Sequence, residues 1–204
     1  AYFDKGPKFL HYLPKVVLLT SIEFDHADIY RDLAHLKESF RKLVAIVPPD
    51  GLLVACADYP DVIELSALAR CRVVRYARTG TVLRTGTVPG GESWTVRMLG
   101  ENGEFTRFRL ESGSEGHEYA LRLPGAHNAA NAAAVAIALR HYGFPPSRIA
   151  EALAGFSGVR RRQEVVGEYG GVLVVDDFAH HPTAVRETIG AIRSRFPGRP
   201  VTAV

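Results

Sequence analysis

Val16-Val17-Leu18-Leu19-Thr20 is a short apolar run rich in β-branched residues, without the alternation of a half-exposed strand. Such a run fits a strand covered on both faces, which is how strands of a parallel sheet are placed. It gives way to Glu23-Phe24-Asp25-His26-Ala27-Asp28, and then Ile29, Leu33, Leu36, Phe40, Leu43 and Val47 recur at helical spacing. Pro48-Pro49-Asp50-Gly51 stops that helix, and Leu52-Leu53-Val54-Ala55-Cys56 reads as a second buried strand. A helix over Asp61 to Ala69 and a third strand, Arg72-Val73-Val74-Arg75-Tyr76, complete a β-α-β-α-β alternation. That order predicts an α/β fold with a mainly parallel sheet and right-handed crossovers.

The pattern changes between Thr79 and Leu123. Trp94-Thr95-Val96-Arg97-Met98 and Phe105-Thr106-Arg107-Phe108-Arg109-Leu110 alternate and are separated by turn residues such as Glu101-Asn102-Gly103. This predicts a small antiparallel meander. Pro124-Gly125 ends it; an Ala-rich helix from Asn128 to His141 and another from about Ser147 to Ala154 are expected next. Gly155 to Arg162 breaks the apolar pattern, so the expected division is residues 1–157 and 158–204. In the second part, Val165-Val166 and Val172-Leu173-Val174-Val175 flank Gly170-Gly171 as a hairpin. A helix from Thr183 to Phe196 and a strand over Val201 to Val204 would open a further α/β unit.

The 204 residues are 47% hydrophobic, enough for a sizeable core. Net charge is +3, but 25 basic and 22 acidic side chains are interspersed, which argues against a nucleic-acid surface. No stretch approaches the roughly 20 apolar residues of a membrane-spanning helix. Two distant cysteines, Cys56 and Cys71, read as buried reduced thiols of a cytoplasmic protein. The chain lacks an initiator Met and stops inside an apolar run, which suggests a fragment of a longer protein.

Four stations could carry chemistry. Glu23, Asp25, His26 and Asp28 follow a parallel strand, where ligands of open α/β sheets collect, and offer oxygen and nitrogen donors suited to Mg²⁺ or Mn²⁺ linked to phosphate. The competing explanation is that Asp25 or Asp28 caps the next helix. Asn128 and Asn131 project from one face of a first helical turn, and an amide that donates and accepts suits a purine edge. Asn128 could equally be an N-cap. Arg160-Arg161-Arg162 is either a solvated basic patch or aims one guanidinium at a phosphate. Asp176-Asp177-Phe178-Ala179-His180-His181-Pro182 again links a strand to a helix, and such a polar set is costly to bury for structure alone.

In this order the stations resemble the Mur ligase family: Glu-x-Asp-His-x-Asp, Gly-x-His-Asn-x-x-Asn, Gly-x-x-Arg-Arg, and Asp-Asp-Phe-Ala-His-His-Pro-Thr. The resemblance implies most of a central ATP-binding domain followed by the start of a Rossmann-like C-terminal domain. Ala1-Tyr2-Phe3-Asp4-Lys5 and Lys8-Phe9-Leu10-His11-Tyr12 look like the recycling branch of the family. That branch joins UDP-N-acetylmuramate to the murein tripeptide L-alanyl-γ-D-glutamyl-meso-diaminopimelate through an acyl phosphate. The resemblance implies ATP and Mg²⁺ as cofactors. It makes His26 a metal ligand with Glu23 and Asp25 nearby, and places His127, Asn128 and Asn131 at the adenine. It sends Arg162 to the γ-phosphate, Asp177 to the nucleotide, and His180 and His181 to the incoming peptide.

The family's Gly-Lys-Thr-Thr phosphate loop is not in the sequence, so these residues alone are expected to be inactive. Where several relatives carbamylate a lysine stands Arg41, flanked by Lys37 and Lys42, and no carbamate is expected. Three other readings stay open: ligation of L-alanine to UDP-N-acetylmuramate, a metal-dependent phosphoesterase, and a nucleotide-binding module without catalysis.

Overall fold

The structure, a computed structural model, describes residues 6–80, 92–102 and 105–204. The Ala1–Lys5 lead-in, the first part of the expected meander and Gly103 of its turn lie outside the described residues. Two compact units form: Ala1–Thr95 with Ala133–Gly143, and Val96–Ala132 with Phe144–Val204.

In the first unit, strands β1 (Val16–Leu19), β2 (Leu52–Cys56) and β3 (Arg72–Arg78) pair in parallel, Val16 opposite Leu52 and Leu52 opposite Arg72. All five residues of β2 are buried, as its unbroken apolar run requires of a central strand. Helix α1 (Leu33–Ile46) lays Leu36, Leu43 and Val44 on a core shared with Val17, Leu19 and Leu53. It starts at Leu33 rather than Ile29, because Asp32 is the N-cap and accepts from His35 N at 2.7 Å. Neither Asp25 nor Asp28 caps it. Helix α2 is the shorter Pro60–Ser66, opened by a proline at its first position.

Cys56 is buried, whereas Cys71 is only half-buried; burial raises both thiols, which keeps them protonated.

Lys37 Nζ donates to Asp61 Oδ1 at 2.7 Å and to Glu64, while Arg41 Nη2 donates to Glu64 Oε1 at 3.1 Å. The bonds to Asp61 and Glu64 hold the Lys37 ammonium above its usual range, and the bond from Lys37 holds Glu64 below the usual carboxylate range. Carbamylation needs a neutral amine, so this environment opposes it. A carboxylate depressed in the folded state stabilises above its unfolded pKa and loses that contribution as pH falls through its folded value. Lys37→Met is therefore expected to lower the thermal midpoint at neutral pH, with the gap to wild type closing below about pH 4. A gap that persists unchanged to pH 3 in melting curves would count against it.

The six-stranded sheet runs β1-β2-β3-β4-β5-β6, with β4 (Glu92–Glu101), β5 (Thr106–Ser112) and β6 (Glu115–Leu121). Strands β5 and β6 are antiparallel, Phe108 opposite Tyr119, as their alternation predicts. The rings of that pair lie 5.5 Å apart in the second unit's core, and helix α4 (Pro146–Gly155) packs on β6. Helix α3 (Ala126–His141) begins two residues earlier than expected, with alanines buried along its length. Its residues through Ala132 belong to the second unit and those from Ala133 to the first.

Strands β7 (Glu164–Tyr169) and β8 (Val172–Asp176) form the expected hairpin about Gly170-Gly171, both glycines at positive φ (56° and 81°). Strand β8 leaves Val172 and Val174 exposed, because its only partner among the described residues is β7. Helix α5 (Pro182–Arg195) follows. Val201 to Val204 is not a strand; no neighbouring strand pairs with it among the described residues, and Pro200 brings no N–H.

Candidate functional site

In the first unit the loop after β1 turns sharply at His26, whose φ of +56° is left-handed. Its carbonyl accepts from both Ile29 N (2.8 Å) and Tyr30 N (2.9 Å), closing the turn. Asp25 Oδ1 accepts from His26 N at 2.6 Å, and Asp25 Oδ2 lies 3.4 Å from His26 Nε2. The His26 side chain is exposed, while Asp25 and Glu23 are half-buried. A strained non-glycine turn that holds an imidazole against a carboxylate is the sort of feature found at functional sites. The carboxylates fit Mg²⁺, which keeps several waters and takes one or two protein oxygens together with substrate phosphates. Asp28 is exposed and has no role in this turn.

The second unit holds the other three stations. Gly125 (φ +100°) turns the chain into α3, and Asn128 Nδ2 donates to Pro124 O at 2.7 Å, so Asn128 secures that turn rather than capping the helix. Asn131 follows one turn later and is exposed, its amide unused by this contact. His127 sits inside the first turn: Nδ1 is 3.6 Å from Glu187 Oε2, and Nε2 is 3.4 Å from Gln163 Nε2.

The arginine joint and the Asp-Asp-Phe loop are fastened together. Asp177 Oδ2 accepts from Gln163 N at 2.8 Å, and its Oδ1 accepts from Ala179 N at 2.7 Å. Phe178 N donates to Arg161 O at 2.9 Å. These bonds hold Arg161 and Gln163 in left-handed backbone (φ +59° and +52°), which costs about 1–3 kcal/mol per residue unless the surroundings enforce it. Between them Arg162 points outward, its guanidinium 5.6 Å from the centre of the Phe178 ring. The joint is thus a built loop, not a loose basic patch. It lines a cleft of about 580 Å³ with Arg122, Arg160, Arg162, Gln163, Glu164 and Arg195 among its walls.

Asp176, Asp177 and His181 are half-buried and His180 is exposed, so the burial expected for this segment is not found. Instead Asp176 Oδ2 lies 3.5 Å from Arg161 Nε near solvent, an ion pair worth little by itself. His180 Nδ1 lies 2.9 Å from Phe178 O, and its ring sits 4.4 Å from that of His181. His181 stands before the helix without capping it.

The model of the Mur ligase middle domain matches residues 8–139, and that of the Mur ligase glutamate ligase domain matches residues 161–204. The chain belongs to the Mur ligase family. It is 42% identical over 180 residues to UDP-N-acetylmuramate–L-alanine ligase of Acidothermus cellulolyticus, covering 86% of the chain and 36% of that protein. It is 35% identical over 198 residues to UDP-N-acetylmuramate–L-alanyl-γ-D-glutamyl-meso-2,6-diaminoheptandioate ligase of Escherichia coli, covering 97% and 41%. The crystal structure of a murein peptide ligase from Psychrobacter arcticus superimposes with a TM-score of 0.68 at 26% identity, covering 98% of this chain and 39% of that one. The chain therefore spans well under half the length of these Mur ligases. Gln163, Glu187 and Glu101, which shape the His127 turn, carried no sequence signal: each is an isolated polar residue that meets its partner only through the fold.

Among the described residues no helix is long and apolar enough to cross a membrane.

Proposed function

We propose that this protein is an ATP-dependent amide ligase acting on the muramyl carboxylate of UDP-N-acetylmuramate, with L-alanyl-γ-D-glutamyl-meso-diaminopimelate as the incoming amine. The observation that carries the proposal is the exposed Asn131 amide on the α3 turn in the same unit as an outward Arg162 set by Asp177. Membership of the Mur ligase family supports it. In the reaction a carboxylate oxygen attacks the γ-phosphorus of ATP and ADP leaves. The amine then attacks the acyl carbon, loses a proton, and inorganic phosphate departs with its oxygen.

Each residue has a part that its geometry allows. Asn131, with His127 and Asn128 shaping the turn, holds the adenine. Arg162 offers a guanidinium fork to the γ-phosphate, where charge builds in the transfer. Asp177 keeps acceptor capacity for ribose hydroxyls beyond its two backbone bonds. His180 and His181 face the incoming peptide. Asp25, Glu23 and His26 would hold Mg²⁺, which supplies charge neutralisation at the phosphates. We also place the functional division at residues 157 and 158, supported by the gap between the two family matches. A cytoplasmic setting follows from nucleotide substrates.

A second reading, ligation of L-alanine, is favoured by the 42% identity to the Acidothermus cellulolyticus ligase. Supplying the full-length protein with ATP, Mg²⁺ and UDP-N-acetylmuramate plus either tripeptide or L-alanine, and weighing the products by mass spectrometry, separates the two. Product with neither amine would sink both. In the same assay Asn131→Ala is expected to raise KM for ATP about tenfold, the loss of one or two hydrogen bonds. An unchanged KM would remove Asn131 from the adenine site.

A further inference from the structure

Three elements of the second unit converge on the turn that opens α3. Glu101, at the end of β4, accepts from Gly125 N at 2.9 Å and from Thr106 Oγ1 at 3.3 Å through Oε1, while its Oε2 accepts from Ser194 Oγ on α5. Three residues earlier on α5, Ala191 packs so near Gly125 that a Cβ there would lie 2.9 Å from the Ala191 Cβ. Glu187, a further turn back, brings its carboxylate to 3.6 Å from His127 Nδ1.

On the other edge of the ring, Gln163 Nε2 faces His127 Nε2 at 3.4 Å, and Gln163 Oε1 is buried without a partner among the described residues. With the ring as its Nδ1–H tautomer, Nε2 accepts from this amide and Nδ1–H faces the Glu187 carboxylate. The imidazole is thus flanked at both nitrogens, by the Glu187 carboxylate at ion-pair distance and by Gln163 in the arginine joint. Buried at Nδ1 and facing Gln163 at Nε2, the ring is closed to a base. Its part is to hold the turn.

We propose that Glu101 and Glu187 are positioning residues for the nucleotide turn: Glu101 through the Gly125 N–H and Glu187 through His127. They tie the conformation of Gly125–Asn128, and hence the aim of Asn131, to helix α5. The inference rests on the adenine reading of that turn. Neither carboxylate touches the nucleotide.

The test uses the full-length protein and steady-state kinetics with ATP varied. Glu101→Leu and Glu187→Leu are each expected to raise KM for ATP about tenfold while kcat stays within about twofold, because a misplaced turn weakens binding without removing a group from the reacting atoms. Glu101→Gln keeps a carbonyl oxygen for Gly125 N–H and is expected to restore KM to within about threefold of wild type. His127→Ala in the Glu187→Leu background is expected to raise KM by less than His127→Ala alone, since the two changes share one interaction. Asn131→Ala, which touches neither carboxylate, separates the two ideas. A rise in that variant with wild-type KM in Glu101→Leu and Glu187→Leu overturns the positioning roles alone. No rise in Asn131→Ala overturns the adenine reading and the inference with it. Equal losses in Glu101→Gln and Glu101→Leu, or full additivity of His127→Ala and Glu187→Leu, also overturn it.

Discussion

Asp177→Ala is expected to abolish ATP-dependent coupling in the full-length protein, by at least about a hundredfold, and to destabilise it by about 2–3 kcal/mol. Both effects come from one carboxylate. Its oxygens accept from Gln163 N and Ala179 N, charge-assisted bonds that join the arginine joint to the loop after β8. Without them the left-handed backbone keeps only the bonds of Arg161 to Phe178 N and Glu164 Oε2, Gln163 N loses its acceptor, and Arg162 between them loses much of its aim. The bonding predicts a measurable stability loss, softened because the group is half-buried and water can replace it. Asp177→Asn should fall between, since its amide retains one acceptor oxygen for two donors. Release of ADP and a denaturant titration check the two halves separately. Normal turnover in Asp177→Ala would remove the residue from any role at the nucleotide.

The parallel core was readable because its strands advertise themselves. Val16–Leu19 and Leu52–Cys56 are apolar without alternation, and only a strand covered on both faces calls for that in so short a run. Helix starts were less readable for a reason equally physical. Asp25, Asp28 and Asp32 stand within eight residues of one another, and any could cap. The tight turn at His26 decides among them by taking Asp25 for itself and leaving Asp32 at the helix entrance. At α3 the helix runs back to Ala126, since alanine propagates a helix readily and Gly125 supplies the positive φ just before it.

The candidate site was readable as a list of residues and not as an arrangement. Asp176 to Pro182 looked costly to bury, but burial depends on what covers β8, and that strand's composition is silent on its neighbours. The arginine run looked like a solvated patch because a sequence shows charges and not φ angles. Gln163 was invisible: one glutamine beside three arginines reads as surface, yet it is 7% exposed and faces His127, 36 residues away. Glu187 and His127 are 60 positions apart in the sequence, a separation at which no local pattern operates.

Gly125→Ala is expected to destabilise by about 3–4 kcal/mol, with a loss of ATP affinity alongside. Two terms add. A φ of +100° is strained for any L-residue with a side chain, about 1–2 kcal/mol. The new Cβ would also sit 2.7 Å from His127 Cε1, 2.8 Å from its Nδ1 and 2.9 Å from the Ala191 Cβ. The ring could swing away only by leaving Glu187, and Ala191 belongs to the buried face of α5, so neither neighbour yields cheaply. Gly143 separates the terms. It has φ +81° with no atom within 4 Å of an added Cβ, so Gly143→Ala should show the backbone strain alone, about 1 kcal/mol. Denaturant midpoints of the two variants give the difference directly. If Gly125→Ala destabilises no more than Gly143→Ala, the packing of α5 against the nucleotide turn is loose, and the turn must be held by the Glu101 bond to Gly125 N rather than by shape.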